Sequence, residues 1–162
     1  MTDVEISRIG PEDWQVFRDL RLRALRDAPA AFGSRYDDWV GAPESRWRDR
    51  VANVPLNLIA RRDGEPVGMA SGVVDDEDVV ELISMWVDPP ARGSCVAQAL
   101  VSAVVEWATA AGRTTYLMVR SDNHRAVAAY AKAGFVDLGV PPDRDPDLPP
   151  ENKMVHAPAE QR

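Results

Sequence analysis

Apolar residues recur along this chain at two spacings, and the changes of spacing mark out its elements. Val4-Glu5-Ile6 alternates and predicts a short strand, which Gly10-Pro11 ends. Trp14, Phe17, Leu20 and Ala24 then follow at helical spacing within residues 11 to about 27. Pro11 suits the first turn of that helix, and Arg18, Arg21, Arg23 and Arg26 form its polar side. Ala28-Pro29 ends it, residues 30–34 read as loop, and a second helix is expected from Ser45 to Ala52. A meander comes next. Leu56, Leu58 and Ala60 alternate with Asn57, Ile59 and Arg61, Asp63-Gly64 signals a hairpin turn, and Val67, Met69, Ser71 and Val73 form the return strand. The acidic turn Asp75-Asp76-Glu77-Asp78 leads into a strand from Val79 to Val87. Four acids in a row can suggest a cation site, but a solvated hairpin tip accounts for them.

Helix and strand alternate in the second half. A helix from about Cys95 to Ala111 is expected to bury Ala97, Leu100, Val101, Val104 and Ala108, with Gly112 as its C-cap. Thr115, Leu117 and Val119 alternate as a strand, and Asn123 caps a short Ala-rich helix that ends at Ala133-Gly134. Phe135 to Leu138 is a further strand. Residues Pro141 to Pro150 carry five prolines and read as an irregular loop before a last strand, Glu151 to His156. Residues 158–162 read as a frayed tail on a single domain of residues 1–157. The fold class is α/β (α+β), a mixed sheet with a βαβ crossover from the Val79 strand to the Thr115 strand.

Composition narrows the function classes. Of 162 residues, 45% are hydrophobic, which supports a real core, and the net charge of −7 with no dense Lys/Arg face argues against nucleic acid. One cysteine excludes an internal disulfide and a Cys-rich metal site, and two histidines leave little for a His-based one, so no metal is expected. No apolar run approaches 18 residues and the N-terminus lacks a signal-peptide core, so no membrane association and a cytoplasmic location are expected.

Two stretches carry candidate chemistry. The first is Glu81 to Ala97, where an apolar strand ends at Asp88-Pro89-Pro90 and a short loop, Ala91-Arg92-Gly93-Ser94, opens a helix. The first turn of a helix has N–H groups without intrahelical partners and carries partial positive charge, so such a loop can hold an anion. The second runs from Asn123 to Phe135. Its helix start carries an Asn, and Tyr130 lies two turns up the same face, where a phenol can give a proton to a leaving anion. Taken separately, the first is a capped helix and the second a capping Asn, a core Tyr and a C-cap Gly.

Together, VDPxxRGxxxA followed about two dozen residues later by NxxAxxxYxxxGF resembles the GNAT family of N-acetyltransferases, over about residues 56 to 138. The resemblance implies a mostly antiparallel sheet of six to seven strands with a splayed parallel pair, flanked by about four helices. It implies acetyl-CoA as cosubstrate. Arg92, Gly93, Ser94, Cys95, Val96 and Ala97 would bind its pyrophosphate, while Met85, Trp86 and Val87 would pair with its pantetheine arm. Asn123 and Ala126 would flank that arm, and Tyr130 would protonate the departing thiolate. A bulge usually causes the splay, and the single shift of register among Leu82, Met85 and Val87 predicts one near Ile83-Ser84.

The implied activity is direct acetyl transfer to a primary amine, most simply of a small molecule. A protein N-terminal or lysine acetyltransferase and an inactive acetyl-CoA-binding module are the alternatives. Met118 stands where some protein N-terminal acetyltransferases of the family carry Glu, which favours a small-molecule amine. Glu81 is the candidate general base, acting through water, with an exposed strand-end carboxylate as its equal alternative; Ser84 is a lesser candidate. Trp39, Trp47, Trp86 and Tyr36 are candidate walls of the acceptor pocket, and a homodimer is compatible with the sequence. Cys95 stands where the family has Gly. A positive φ there would cost a Cys about 1–2 kcal/mol.

Overall fold

The computed structural model describes residues 3–29, 35–93 and 95–157. Seven strands form one sheet: β1 (Val4–Arg8), β2 (Leu56–Arg62), β3 (Glu65–Val74), β4 (Val80–Val87), β5 (Thr115–Arg120), β6 (Phe135–Asp137) and β7 (Glu151–His156). Their spatial order is β1-β2-β3-β4-β5-β7-β6, antiparallel everywhere except at β4–β5. The helices are α1 (Trp14–Asp27), α2 (Tyr36–Trp39), α3 (Glu44–Asn53), α4 (Val96–Ala110) and α5 (His124–Lys132). Pro11–Asp13 forms a single 3-10 turn leading into α1. The single-turn α2 was not expected: four residues are too short to establish a helical period. Segment 30–34, expected as loop, and the expected tail 158–162 lie outside the described residues.

The elements follow from local chemistry. At the β2–β3 hairpin, Asp63 and Gly64 have φ of 55° and 80°, the left-handed pair a two-residue turn of type I′ needs. At the acidic tip, Asp75 Oδ1 accepts the N–H groups of Glu77 and Val79 (2.9 and 3.0 Å), and Asp78 pairs with Arg113. Three of the acids thus sit in an ordinary Asx-type turn, and among the described residues no acidic, His or Cys group is arranged to hold a metal.

Both faces of the sheet carry a core. One buries Leu58, Ala70, Leu82, Val87, Leu117 and Met154 against Leu100, Val101, Val104 and Ala108 of α4, with α5 packed beside it. The other buries Ile59, Met69 and Trp86 against Phe17, Leu20 and Ala24 of α1 and Trp47 and Val51 of α3. Because both sides of β2 are covered, its first five residues are all buried and the expected alternation of in and out is lost.

Two helices bury a different phase from the one the sequence predicts. In α4 the core takes Val96, while Ala97 is only half-buried. In α1 the expected polar residue Arg21 is 8% exposed, because α3 covers the side of the helix on which it lies. Among the described residues no helix is long and apolar enough to cross a membrane.

Candidate active site

The site begins as a fault in the sheet. Met69 pairs with Trp86 and Ser71 with Ile83, so one residue of β3 faces two of β4, Ser84 and Met85. That is a β-bulge, and Ser84 takes the left-handed φ of 55° at its centre. The extra residue flips the register: Leu82 and Val87 face α4, whereas Trp86 faces α1 and α3. The bulge therefore lies where the apolar shift in the sequence predicts it. Beside it, β4 pairs with β5 only at Val80–Thr115 and Glu81–Tyr116. Beyond those pairs each strand keeps its other neighbour, β4 with β3 as far as Val87 and β5 with β7 as far as Arg120. A gap opens between them, toward the N-terminus of α4.

The loop at the mouth of the gap is anchored from behind. Pro89–Ala91 forms a 3-10 turn with Ala91 buried. Gly93 then takes φ 81°, with nothing within 4 Å of where a Cβ would stand. Ser94 lies outside the described residues. Cys95 has φ −79° and ψ 1°, an ordinary conformation for any L-residue, and its exposed side chain makes no cap bond. The left-handed position thus belongs to Gly93, and Cys95 bears no strain. Among the described residues the first backbone bond into α4 is Ala99 N–H to Cys95 O, and N–H groups of the first turn, such as Val96 and Ala97, have no intrahelical acceptor. Val96 can offer only its main chain, since its side chain is fully buried.

Arg92 is committed elsewhere. Its Nη2 donates to Asp27 Oδ2 at 2.6 Å and its Nε to the carbonyl of Val87 at 2.9 Å. The same Asp27 oxygen accepts the indole N–H of Trp86 at 3.0 Å. These two bonds hold the Asp27 carboxyl below the usual range, the Trp86 bond contributing most. One carboxylate at the end of α1 thereby fixes the exit of β4 and the start of the loop, a role with no signal in the sequence. Much of the anion-binding potential of the loop therefore comes from its backbone.

On α5, Asn123 Oδ1 accepts the N–H of Ala126 at 3.2 Å, as expected of a cap. Half-buried Ala126 and Tyr130 pack against the α4-side core, and the Tyr130 ring meets Phe135 edge-on at 6.0 Å. Burial pushes the Tyr130 phenol up to about 12.

Glu81 sits where β4 and β5 are still joined. It is half-buried and accepts a bond from the Tyr116 hydroxyl at 3.3 Å. Burial raises its pKa, the Tyr116 bond and Lys153 oppose the rise, and the charges of Asp75 and Glu151 add to it. Tyr116 is itself pushed up by burial and then by Glu81.

The other side of the bulge faces α1 and α3. There a pocket of about 30 Å³ is lined by Phe17, Arg21, Trp39, Trp47 and Arg50. Of the expected wall residues, Trp39 and Trp47 meet in this pocket with centroids 4.8 Å apart and planes tilted by 47°, Tyr36 hydrogen-bonds Arg26, and Trp86 turns to Asp27. Arg50 was missed. Its Nη1 donates to Asn57 Oδ1 (3.0 Å), and its Nη2 to Ser71 Oγ (3.4 Å) and Ser84 Oγ (3.1 Å), so it grips the bulge residue directly. The signal was present as helical phase: Arg21 is four residues after Phe17, and Arg50 three after Trp47, each on its helix's apolar stripe.

Comparison with known proteins agrees with this geometry. The model of the acetyltransferase (GNAT) family matches residues 14–135. An IAA acetyltransferase of Azospirillum brasilense is 35% identical over 85 residues, which are 51% of this chain and 55% of that protein, so the match spans about half of the relative's length. A GNAT-family acetyltransferase of Streptococcus pneumoniae superposes with a TM-score of 0.74 at 18% identity, covering 94% of this chain and 97% of that one. The PaiA N-acetyltransferase of Thermoplasma acidophilum, solved in complex with coenzyme A, gives 0.71 at 16% identity, covering 96% and 99%. The bulged and splayed sheet, the loop that opens α4 and the family match over three quarters of the chain lead to one conclusion: the chain belongs to the GNAT acetyltransferase family.

Proposed function

We propose that this chain transfers the acetyl group of acetyl-CoA directly to a primary amine of a small molecule. The observation that carries the reading is the gap between β4 and β5, with a bulge on one flank and the start of α4 at its mouth. An extended pantetheine arm fits such a gap as a missing strand, pairing with the main chain of Met85, Trp86 and Val87. The N–H groups of Gly93, Cys95, Val96 and Ala97 suit a pyrophosphate, and the open space at Gly93 lets its oxygens approach. The residues present therefore fit the cosubstrate, whose chemical contribution is an activated thioester carbonyl.

The chain's own groups supply the rest. Ser84 and Met85 drop out of the β3–β4 register, which frees main-chain N–H at the bulge to stabilise an oxyanion. Tyr130, held at about 12, stays protonated through the neutral range and gives its hydrogen to the departing thiolate. Full transfer from so weak an acid to a thiolate of ordinary basicity, near pKa ~8.5, is uphill. The ammonium proton must therefore be removed before or during that step. Glu81 is the base. It lies three residues before the bulge, roughly 10 Å along a strand, so it works through water. Its raised pKa brings it closer to the range where a base is most effective. A pocket of only about 30 Å³ beside the bulge favours a compact acceptor over a protein segment.

The test is thiol release from acetyl-CoA across a panel of amines, with Tyr130→Phe alongside the wild type. The variant is expected to lose about 10²-fold or more in kcat while its Kd for acetyl-CoA stays within twofold. An unchanged kcat removes Tyr130 from the mechanism. Acetyl-CoA binding without thiol release for any amine favours a binding module.

A further inference from the structure

The pocket beside the bulge has a composition that acetyl transfer alone does not explain. It is walled by Phe17, Trp39 and Trp47, yet it also holds two guanidinium groups, those of Arg21 and Arg50. Arg21 is 8% exposed. The Arg50 guanidinium stacks over the Phe17 ring at 4.8 Å. Burial brings each down to about 10, and the charge of Arg21 adds to the effect on Arg50. Two like charges thus stand close together, Arg21 buried and Arg50 half-buried.

The partners of Arg50 make the arrangement more pointed. All three of its hydrogen bonds run to neutral oxygens, on Asn57, Ser71 and Ser84. Among the described residues no carboxylate pairs with it. A guanidinium has five donors, so two remain. Asn57 is itself locked by bonds to the carbonyls of Val51 and Val54 (both 3.0 Å), and Ser71 Oγ donates back to Asn57 Oδ1 (2.9 Å). The network holds the Arg50 plane rigidly against β2, β3 and β4. A half-buried cation that is oriented by neutral groups keeps part of its desolvation cost in the free protein, and an anion completes it.

We infer that Arg21 and Arg50 form a carboxylate subsite, and that the acceptor is a small amino carboxylate held by its acid end beside Ser84. This rests on the acetyltransferase reading above. The pocket admits one small anionic group but not a whole ligand, so the rest of the acceptor extends past Ser84 toward the gap. Charge is complementary along that line. The guanidinium pair lies on one side of the bulge; toward the other lies Glu81, with Asp75 beside it and Lys153 and the Arg144–Glu151 ion pair close by, and its carboxylate is where the ammonium end belongs. Guanidinium also suits a planar carboxylate better than a lysine would, because it can bind both oxygens at once.

The experiment compares matched acceptors: 5-aminopentanoate against butylamine, β-alanine against ethylamine, and phenylalanine against phenethylamine. At least one carboxylated member is expected to exceed its partner at least tenfold in kcat/KM. Arg50→Gln and, separately, Arg21→Gln should reduce that ratio to within threefold of unity through KM for the carboxylate. Arg50→Lys, which keeps the charge but not the fork, should retain part of it. Amines without a carboxylate that react as well or better overturn the inference and leave the transferase reading standing. Preference for an acidic peptide over every small acceptor also overturns it. If nothing in the panel releases thiol, the transferase reading fails, and the subsite is judged by binding alone. Trp39 and Trp47 line it, so each carboxylate should perturb tryptophan fluorescence in the wild type and not in Arg50→Gln. No carboxylate-specific change overturns the subsite itself.

Discussion

Removing the carboxylate of Asp27 should loosen the whole front of the site, and the structure sets the size of the effect. Asp27→Ala breaks two bonds, one to Arg92 and one to the Trp86 indole. The ion pair is 40% exposed on the arginine side and 31% on the aspartate side, so it is worth at most about 1 kcal/mol. The indole is the larger loss. Trp86 is 5% exposed, and its N–H would be left without an acceptor in a nearly dry place, at a cost of about 1–3 kcal/mol. The total is about 2 kcal/mol, or roughly 4–8 °C in Tm for a chain of this length. Urea melts followed by far-ultraviolet circular dichroism measure it. Trp86→Phe removes the orphaned donor, so a double-mutant cycle should return a coupling of about 1 kcal/mol between the two positions. The pH dependence has a definite sign. The Asp27 pKa is lowered in the folded state, so its stabilisation is complete above the ordinary carboxylate range and is lost as pH falls through the lowered value. The difference between wild type and Asp27→Ala should therefore close in acid. Salt at about 1 M should remove only the ion-pair share. A loss under about 0.5 kcal/mol at neutral pH, or an additive cycle, would refute the clasp.

Two further substitutions probe the proposed chemistry. Glu81→Gln should lower kcat/KM and abolish the rise of kcat/KM with pH that accompanies ionisation of Glu81. Because the folded-state pKa of Glu81 is raised, its ionisation costs stability above the unfolded carboxylate pKa of about 4.3, so the variant should be as stable as the wild type or more so at pH 7. Equal activity with unchanged pH dependence would remove Glu81 as the base. Gly93→Ala meets no atom within 4 Å but must hold φ 81°, so a loss of about 1–2 kcal/mol should come from the backbone alone, with a higher KM for acetyl-CoA. A neutral result in both melts and KM would show that the loop relaxes freely.

Much of the architecture was legible because it is written in local periods. The bulge left a shift of parity at Ile83-Ser84, the crossover left a helix between two apolar strands, and Asn123 and Gly112 occupy cap positions. What escaped depends on contacts distant in sequence. Asp27 reaches residues 59 and 65 positions away, and nothing near it announces either. Arg21 and Arg50 were legible in phase, but an arginine on an apolar stripe is ordinarily a helix edge; only the packing of α1 on α3 buries Arg21 and half-buries Arg50. The insertion of β7 between β5 and β6 is likewise a pairing choice that alternation does not encode. Cys95 is the reverse case. The family pattern makes a positive φ there conceivable, and the positive φ lies two residues earlier, at Gly93.

The narrow join between β4 and β5 also divides the protein dynamically. Strands β1 to β4 form one hydrogen-bonded block and β5, β7 and β6 another, joined in the sheet by two residue pairs and the bond from Val80 N–H to Thr114 O. Cooperative opening units follow such seams. The amides of β5, β7, β6 and α5 should therefore exchange with solvent by a partial opening that leaves the first block intact. An occupant of the gap bonded to both strands would merge the two units into one, so its affinity would be readable as slowed exchange far from where it binds.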